Sequence, residues 1–194
     1  MSMKYSERFK ACLINPTQDE IFERDPVSVF SFYLAGRVCV LSKFADEIIE
    51  NLEIGFSSQQ IDGSRIVRSE SLMWLRVLGA YEVVRTMHQA KGCFSDRVVA
   101  DLGILKKQLS VVRMPAAKME KVGQKLPVTS NRSACGWDAS KRDLLINDPD
   151  DSVTIQARFI LAEFDRVFCG IRRDDVLAAH ELSYSSPCNT STAG

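Results

Sequence analysis

Read for apolar spacing alone, the chain is a succession of helical stripes. Phe30, Leu34, Leu41, Phe44, Ile48 and Leu52 recur at threes, fours and one seven, the mark of a helix with one buried face. Asp25 is suited to cap this first long helix and Pro26 to its first turn, and the pattern runs to about Ile54 before Gly55 stops it. Arg37 is the one gap in the stripe. After the polar linker GFSSQQIDGS, a second helix is predicted over about 65–91. On a wheel, Met73, Val77, Ala80, Val84 and Met87 share one face and Glu82, Arg85 and Gln89 another, while Arg76 falls near the apolar arc. This helix is apolar around much of its circumference, which predicts a central place in a bundle. Gly92 ends it.

A third helix carries Val98, Leu102, Leu105, Leu109 and Val112 at alternating fours and threes, and Pro115 is expected to break or restart it. A fourth is predicted from near Ser152, with Val153, Ile160, Phe164, Val167 and Ile171 inward, and residues 172–182 extend it after Gly170. Ahead of the first long helix, Asn15-Pro16 splits two short helices, with Thr17 as the cap of the second. Residues from about Gly123 to Asp151 are irregular; Leu126-Pro127-Val128 and Leu144-Leu145-Ile146 are the segments that would pair as a small hairpin. The expectation is a mainly α protein: an antiparallel bundle of four long helices plus short N-terminal helices, with room for a β-hairpin within 124–148. Residues 1–182 would form one domain, and 183–194 a disordered polar tail.

Composition narrows this picture slightly. With 194 residues, 45% hydrophobic and 26% charged, the chain is long enough to bury a core without metal or disulfide staples. The N-terminal run MSMKYSERFKACL is charged where a signal peptide is apolar, and no apolar run approaches the length of a membrane span, so a cytoplasmic protein with no membrane partner is expected. Six cysteines, Cys12, Cys39, Cys93, Cys135, Cys169 and Cys188, form no close pair, and the only histidines are His88 and His180; no metal or other cofactor is expected. Cys39 and Cys169 fall in apolar helical patterns and read as core residues.

The net charge is zero, but its distribution is uneven. Between Ile104 and Arg142 there are nine basic residues and two acidic ones; from Asp143 to Glu181 there are four basic and nine acidic. Lys118, Lys121 and Lys125, spaced by three and four, share a face if a helix follows Pro115, and Arg113, Arg132 and Trp137 flank them. Such a face is able to contact nucleic-acid phosphates. The plainer alternative is a solvated surface that answers the acidic C-terminal third.

Two helical arginines give a second candidate. Arg37 and Arg76 lie in or beside apolar stripes, and a buried guanidinium needs an acidic partner, for which Glu82 is the internal candidate to turn toward the same interface. These three would line a polar pocket for a small anionic ligand between the first two long helices. Alternatively both arginines snorkel to the surface along their aliphatic stems.

No phosphate-binding glycine loop, nucleophile elbow or paired-histidine zinc motif is present. Arg173 is followed by Asp174, with His180 seven residues after the arginine. This spacing resembles the Arg-polar-x(3–5)-His signature of HEPN domains, helical bundles that include RNA-cleaving toxins. The resemblance implies a metal-independent ribonuclease in which Arg173 and His180 act on the RNA phosphate and ribose hydroxyl. A second stretch, Arg113-Met114-Pro115-Ala116-Ala117-Lys118, has lysine in place of the histidine. His88, near the end of the second helix, reads either as an acid–base group or as a helix-end residue favoured by the dipole. The leading expectation is a non-enzymatic protein that binds another protein or itself, by its helical faces or its basic segment, with nucleic acid as a further candidate partner. The ribonuclease and the anion sensor are the alternatives.

Overall fold

The computed structural model describes residues 15–118, 135–147 and 154–180. Its elements in order are helices α1 (Gln18–Arg24), α2 (Val27–Phe30), α3 (Phe32–Gly55), α4 (Gly63–Gln89) and α5 (Asp96–Lys118), strands β1 (Cys135–Asp138), β2 (Asp143–Asn147) and β3 (Thr154–Gln156), and helix α6 (Ala157–Gly170). The long helices pack as a bundle around one apolar cluster, and the three strands form a small antiparallel sheet in the order β1-β2-β3. Among the described residues, no helix is long and apolar enough to cross a membrane.

The stripes set the packing. Leu34, Leu41, Ile48 and Leu52 of α3 are buried, as are Met73, Val77, Ala80, Val84 and Met87 of α4 and Val98, Leu102, Leu105, Leu109 and Val112 of α5. The gap in the first stripe closes with Val38, one residue after Arg37 and four after Leu34, which puts it on the inward face. At the N-terminal end, Thr17 caps α1 in a reciprocal box with Glu20.

The boundaries differ from expectation in instructive places. Asp25 and Pro26 do not open the long helix: Asp25 closes α1, α2 is a separate turn, and Ser31, in extended conformation, accepts a bond from the N–H of Leu34 to cap α3. Helix α3 ends after Gly55, a position where packing favours glycine, since a Cβ there would stand 2.9 Å from Ile66 Cδ1 and 3.2 Å from Arg65 Cβ. Helix α4 begins at Gly63, where Asp62 accepts from the amides of Ser64 and Arg65. It is central in packing against both α3 and α5, yet it leaves Val67, Trp74 and Leu75 exposed. Pro115 does not break α5, which continues to Lys118. A proline in the last turn forfeits one backbone bond at the end of the helix, where few further bonds depend on it.

The hairpin forms with a different first strand. Leu144, Leu145 and Ile146 pair with Trp137, Gly136 and Cys135, and β2 pairs on its other edge with β3. Leu126-Pro127-Val128, the expected partner, lies outside the described residues, as do Val153, residues 1–14 and the tail. Helix α6 starts at Ala157 rather than near Ser152, because Thr154–Gln156 is taken up by the sheet. After Gly170 the chain leaves the helix at Ile171, makes a 3-10 turn at Arg173–Asp175 and bridges Val176 to Phe94, so it does not continue as a helix to Leu182. Cys169 is exposed on α6, not in the core, with its thiol 3.5 Å from Asp165 Oδ1.

Candidate functional site

Each anticipated group is built by a different part of the bundle. Arg76 projects from the apolar face of α4 and is 1% exposed. Its Nε donates to the Leu41 carbonyl at 3.1 Å, and its guanidinium carbon lies 4.8 Å from the Phe164 ring centroid. Its charge is thus met by a backbone dipole and an aromatic face. Arg37 is exposed on α3, where it donates to the Tyr33 hydroxyl at 2.9 Å and lies over the same ring. Glu82 is exposed near the other end of α4, bridged to Arg85 at 2.7 Å and to Arg113 at 3.5 Å. Arg37, Arg76 and Glu82 are therefore not brought into one pocket.

Of the basic segment, Arg113 is held within the fold, its guanidinium 4.5 Å from the Tyr81 ring centroid while it bridges to Glu82. Lys106 Nζ stands 3.0 Å from His88 Nδ1. Burial, then the charges of Lys106 and Lys91, lower the pKa of His88. Lys141 pairs with Asp138 in the β1–β2 turn. Trp137 is exposed, with its ring 6.1 Å from that of Phe56. Lys118 ends α5, but its side chain lies outside the described residues, as do Lys121, Lys125 and Arg132.

Arg173 and His180 fall on the segment that wraps back over the N-terminal helices. The guanidinium of Arg173 is 5.8 Å from the Phe22 ring centroid, and its Nη1 donates to the Val176 carbonyl at 3.4 Å. His180 stacks its ring on Phe30 at 5.0 Å and donates its backbone N–H to the Phe30 carbonyl at 2.8 Å. The two side chains thus lean on different aromatic residues and share no helix. Beside them, a cleft of about 460 Å³ opens between the end of α1 and the end of α6, lined by Glu23, Arg24, Asp25, Arg172, Arg173 and Asp174 among others. Three guanidinium groups face three carboxylates there, so the cleft has no net charge to select an ion.

Two carboxyl groups, that of buried Asp143 on β2 and that of half-buried Glu70 on α4, bear on Cys135. Burial raises the pKa of Asp143, against the opposing effect of the Arg158 and Leu144 amides, and burial raises that of Glu70. Cys135 is pushed up to about 12 by burial, with Glu70 and Asp143 adding to it, so its thiol is not a nucleophile at neutral pH. Among the described residues, no group of three or more His, Cys, Asp or Glu side chains is arranged to hold a metal ion.

The feature not singled out from the sequence is the outward face of α4. Val67 is 61% exposed, Trp74 49% and Leu75 45%, and Leu78 is half-buried beside them. At 100° per residue these four fall within about 100° of arc. The signal was the apolar circumference of this helix, which reads equally as a helix buried all round. Toward the C-terminus the same face turns polar, with Arg85 bonded to Glu82 at 2.8 Å and Gln89 at 3.2 Å. No family model, curated protein or solved structure matches the chain.

Proposed function

We propose that the protein is a non-enzymatic binding protein that engages another protein through the outward face of α4. The observation that carries this reading is the run of Val67, Trp74 and Leu75, large apolar side chains left exposed on one side of a single helix. Removing them from water on contact is favourable by about 25 cal/mol per Å², and tryptophan within an apolar patch with a polar edge is the composition of a protein-binding hot spot. Nucleic acid receives less support from the described residues, because Arg113, Lys106 and Lys141 are engaged with Glu82, His88 and Asp138. The ribonuclease reading also receives less: general acid–base work on one phosphate needs its groups aimed at a shared point, and Arg173 and His180 rest on Phe22 and Phe30.

The test compares proteins retained by the full chain with those retained by Val67→Glu and Trp74→Glu variants of unchanged melting temperature. Partners held by the parent and lost from both variants support the reading; a partner set indifferent to both overturns it. The same preparations are incubated with labelled RNA and DNA at low and moderate salt. Salt-sensitive binding weakened by Lys118→Glu and Lys121→Glu would move the assignment to the basic segment, and RNA cleavage lost in His180→Ala would move it to the ribonuclease.

A further inference from the structure

Helix α3 carries its basic residues in its first half and its acidic residues in its second. From Phe32 to Phe44 the charged residues are Arg37 and Lys43, both basic; from Ala45 to Gly55 they are Asp46, Glu47, Glu50 and Glu53, all acidic. The macrodipole, felt only within the end turns, bears on Glu53 alone, but the acidic half as a whole attracts compensating charge. Part of it lies within the chain, where Arg68 bridges Glu47 at 2.7 Å and Arg158 bridges Glu53 at 2.8 Å. Lys43 and Glu50 are exposed and make no ion pair among the described residues. On the same outward side, Phe32 is 61% exposed, Val40 41% and Ile54 42%. At 100° per residue, Phe32, Val40, Lys43, Glu50 and Ile54 fall within about 80° of arc along a helix about 36 Å long.

We infer that this face pairs with the same face of a second copy of the chain, the two α3 helices running antiparallel about a two-fold axis. The argument is self-complementarity, which an isologous contact requires. An axis passing between Asp46 and Glu47 sets Lys43 of each copy opposite Glu50 of the other, and brings Val40 of each against Ile54 of the other. A parallel arrangement would set like charges together. Carboxylates meet at the axis itself, where Arg68, bridged to Glu47, supplies counter-charge from each side. One helix per side is a small contact, so dimer and monomer exchange at about micromolar concentrations. The inference is independent of the α4 face: a monomeric chain would leave that reading standing.

Sedimentation of the full chain from about 1 to about 200 µM is the test, at low and moderate salt. The parent is expected to dimerise. Lys43→Glu and Glu50→Lys each replace two attractions by two repulsions across the axis, and each weakens self-association by about tenfold or more. Combining both reversals in one chain restores the dimer, and mixing the two single variants gives a heterodimer tighter than either variant alone. Both positions are exposed, so melting temperatures compared at concentrations where the parent is monomeric are expected to stay unchanged, which separates loss of association from loss of fold. A parent that remains monomeric throughout, a dimer indifferent to both reversals, or a double reversal that fails to restore association would each overturn the inference.

Discussion

The carboxylate of Asp143, at the start of β2, accepts a hydrogen bond at 3.3 Å from the backbone N–H of Arg158, in the first turn of α6. The residue in the capping position, Gln156, contributes no side-chain bond, so the helix takes its cap from a strand. Asp143 is 1% exposed and also accepts from the amide of Leu144 at 2.8 Å. Through this one carboxylate the sheet fixes where α6 begins.

Loss of that cap is the first expected effect. Asp143→Ala leaves two amides short of an acceptor and should cost about 2 kcal/mol in denaturant unfolding. Asp143→Asn keeps an acceptor without the charge and should cost much less. Burial raises the folded-state pKa above its unfolded value, so the contribution of Asp143 is fully present below the unfolded pKa and is lost as pH rises through the folded one. The Asn variant should therefore gain on the parent as pH rises above about 4.

Two glycines of α3 should respond to alanine with opposite sign. At Gly55 the added Cβ would stand 2.9 Å from Ile66 Cδ1 and 3.2 Å from Arg65 Cβ, so the buried Ile66 side chain must shift, at a cost of about 1–2 kcal/mol. At Gly36, exposed inside the helix with nothing within 4 Å, alanine should stabilise by about 0.5–1 kcal/mol through helix propensity. Thermal melts of the two variants test both signs together.

The same contrast shows what was legible in the sequence. A stripe of apolar residues needs only the helix period to be read, so the inward faces of α3, α4 and α5 follow from spacing. Local breaks obey other influences. Ser31 interrupts the first stripe without a proline or glycine to announce it, and Gly55 is required by a neighbour in space. Strand β3 is three residues long and abuts α6, too short for alternation to show, and the cap of that helix lies 15 residues away. Of the candidate sites, Arg76 was legible as a guanidinium on an apolar face. Two of its contacts were not, since the Leu41 carbonyl and the Phe164 ring carry no charge that a search for acids detects.

Arg76 should be among the most sensitive positions in the bundle. Arg76→Ala removes a large, fully buried side chain and its contact with Phe164, and should cost about 3–5 kcal/mol. Arg76→Met keeps most of the stem volume, so it should cost less than Arg76→Ala. If urea unfolding shows the two substitutions to be equally damaging, the bond to the Leu41 carbonyl outweighs the packing of the stem.

His88 should make stability fall in mild acid. Lys106 Nζ stands 3.0 Å from its Nδ1, Lys91 adds a second positive charge, and Gly103 packs where a Cβ would come within 3.3 Å of its Nε2. Burial disfavours the charged ring first; the neutral ring also accepts from Lys106, whereas an imidazolium would face two cations with no carboxylate contributing to its shift. Its folded-state pKa lies below the ordinary value, so as pH falls through about 6.5 the unfolded chain takes up the proton first and folding stability declines. The decline ends once pH has passed below the folded pKa. Half-buried Glu70 works in the opposite direction at lower pH, since its raised pKa lets the folded state bind a proton first. The comparison that isolates His88 is therefore the parent against His88→Gln, which keeps a hydrogen-bonding group and cannot titrate. The parent should lose stability relative to this variant between about pH 6.5 and pH 5, and a difference that stays flat across that interval would mean that Lys106 swings away and leaves the ring to ionise freely.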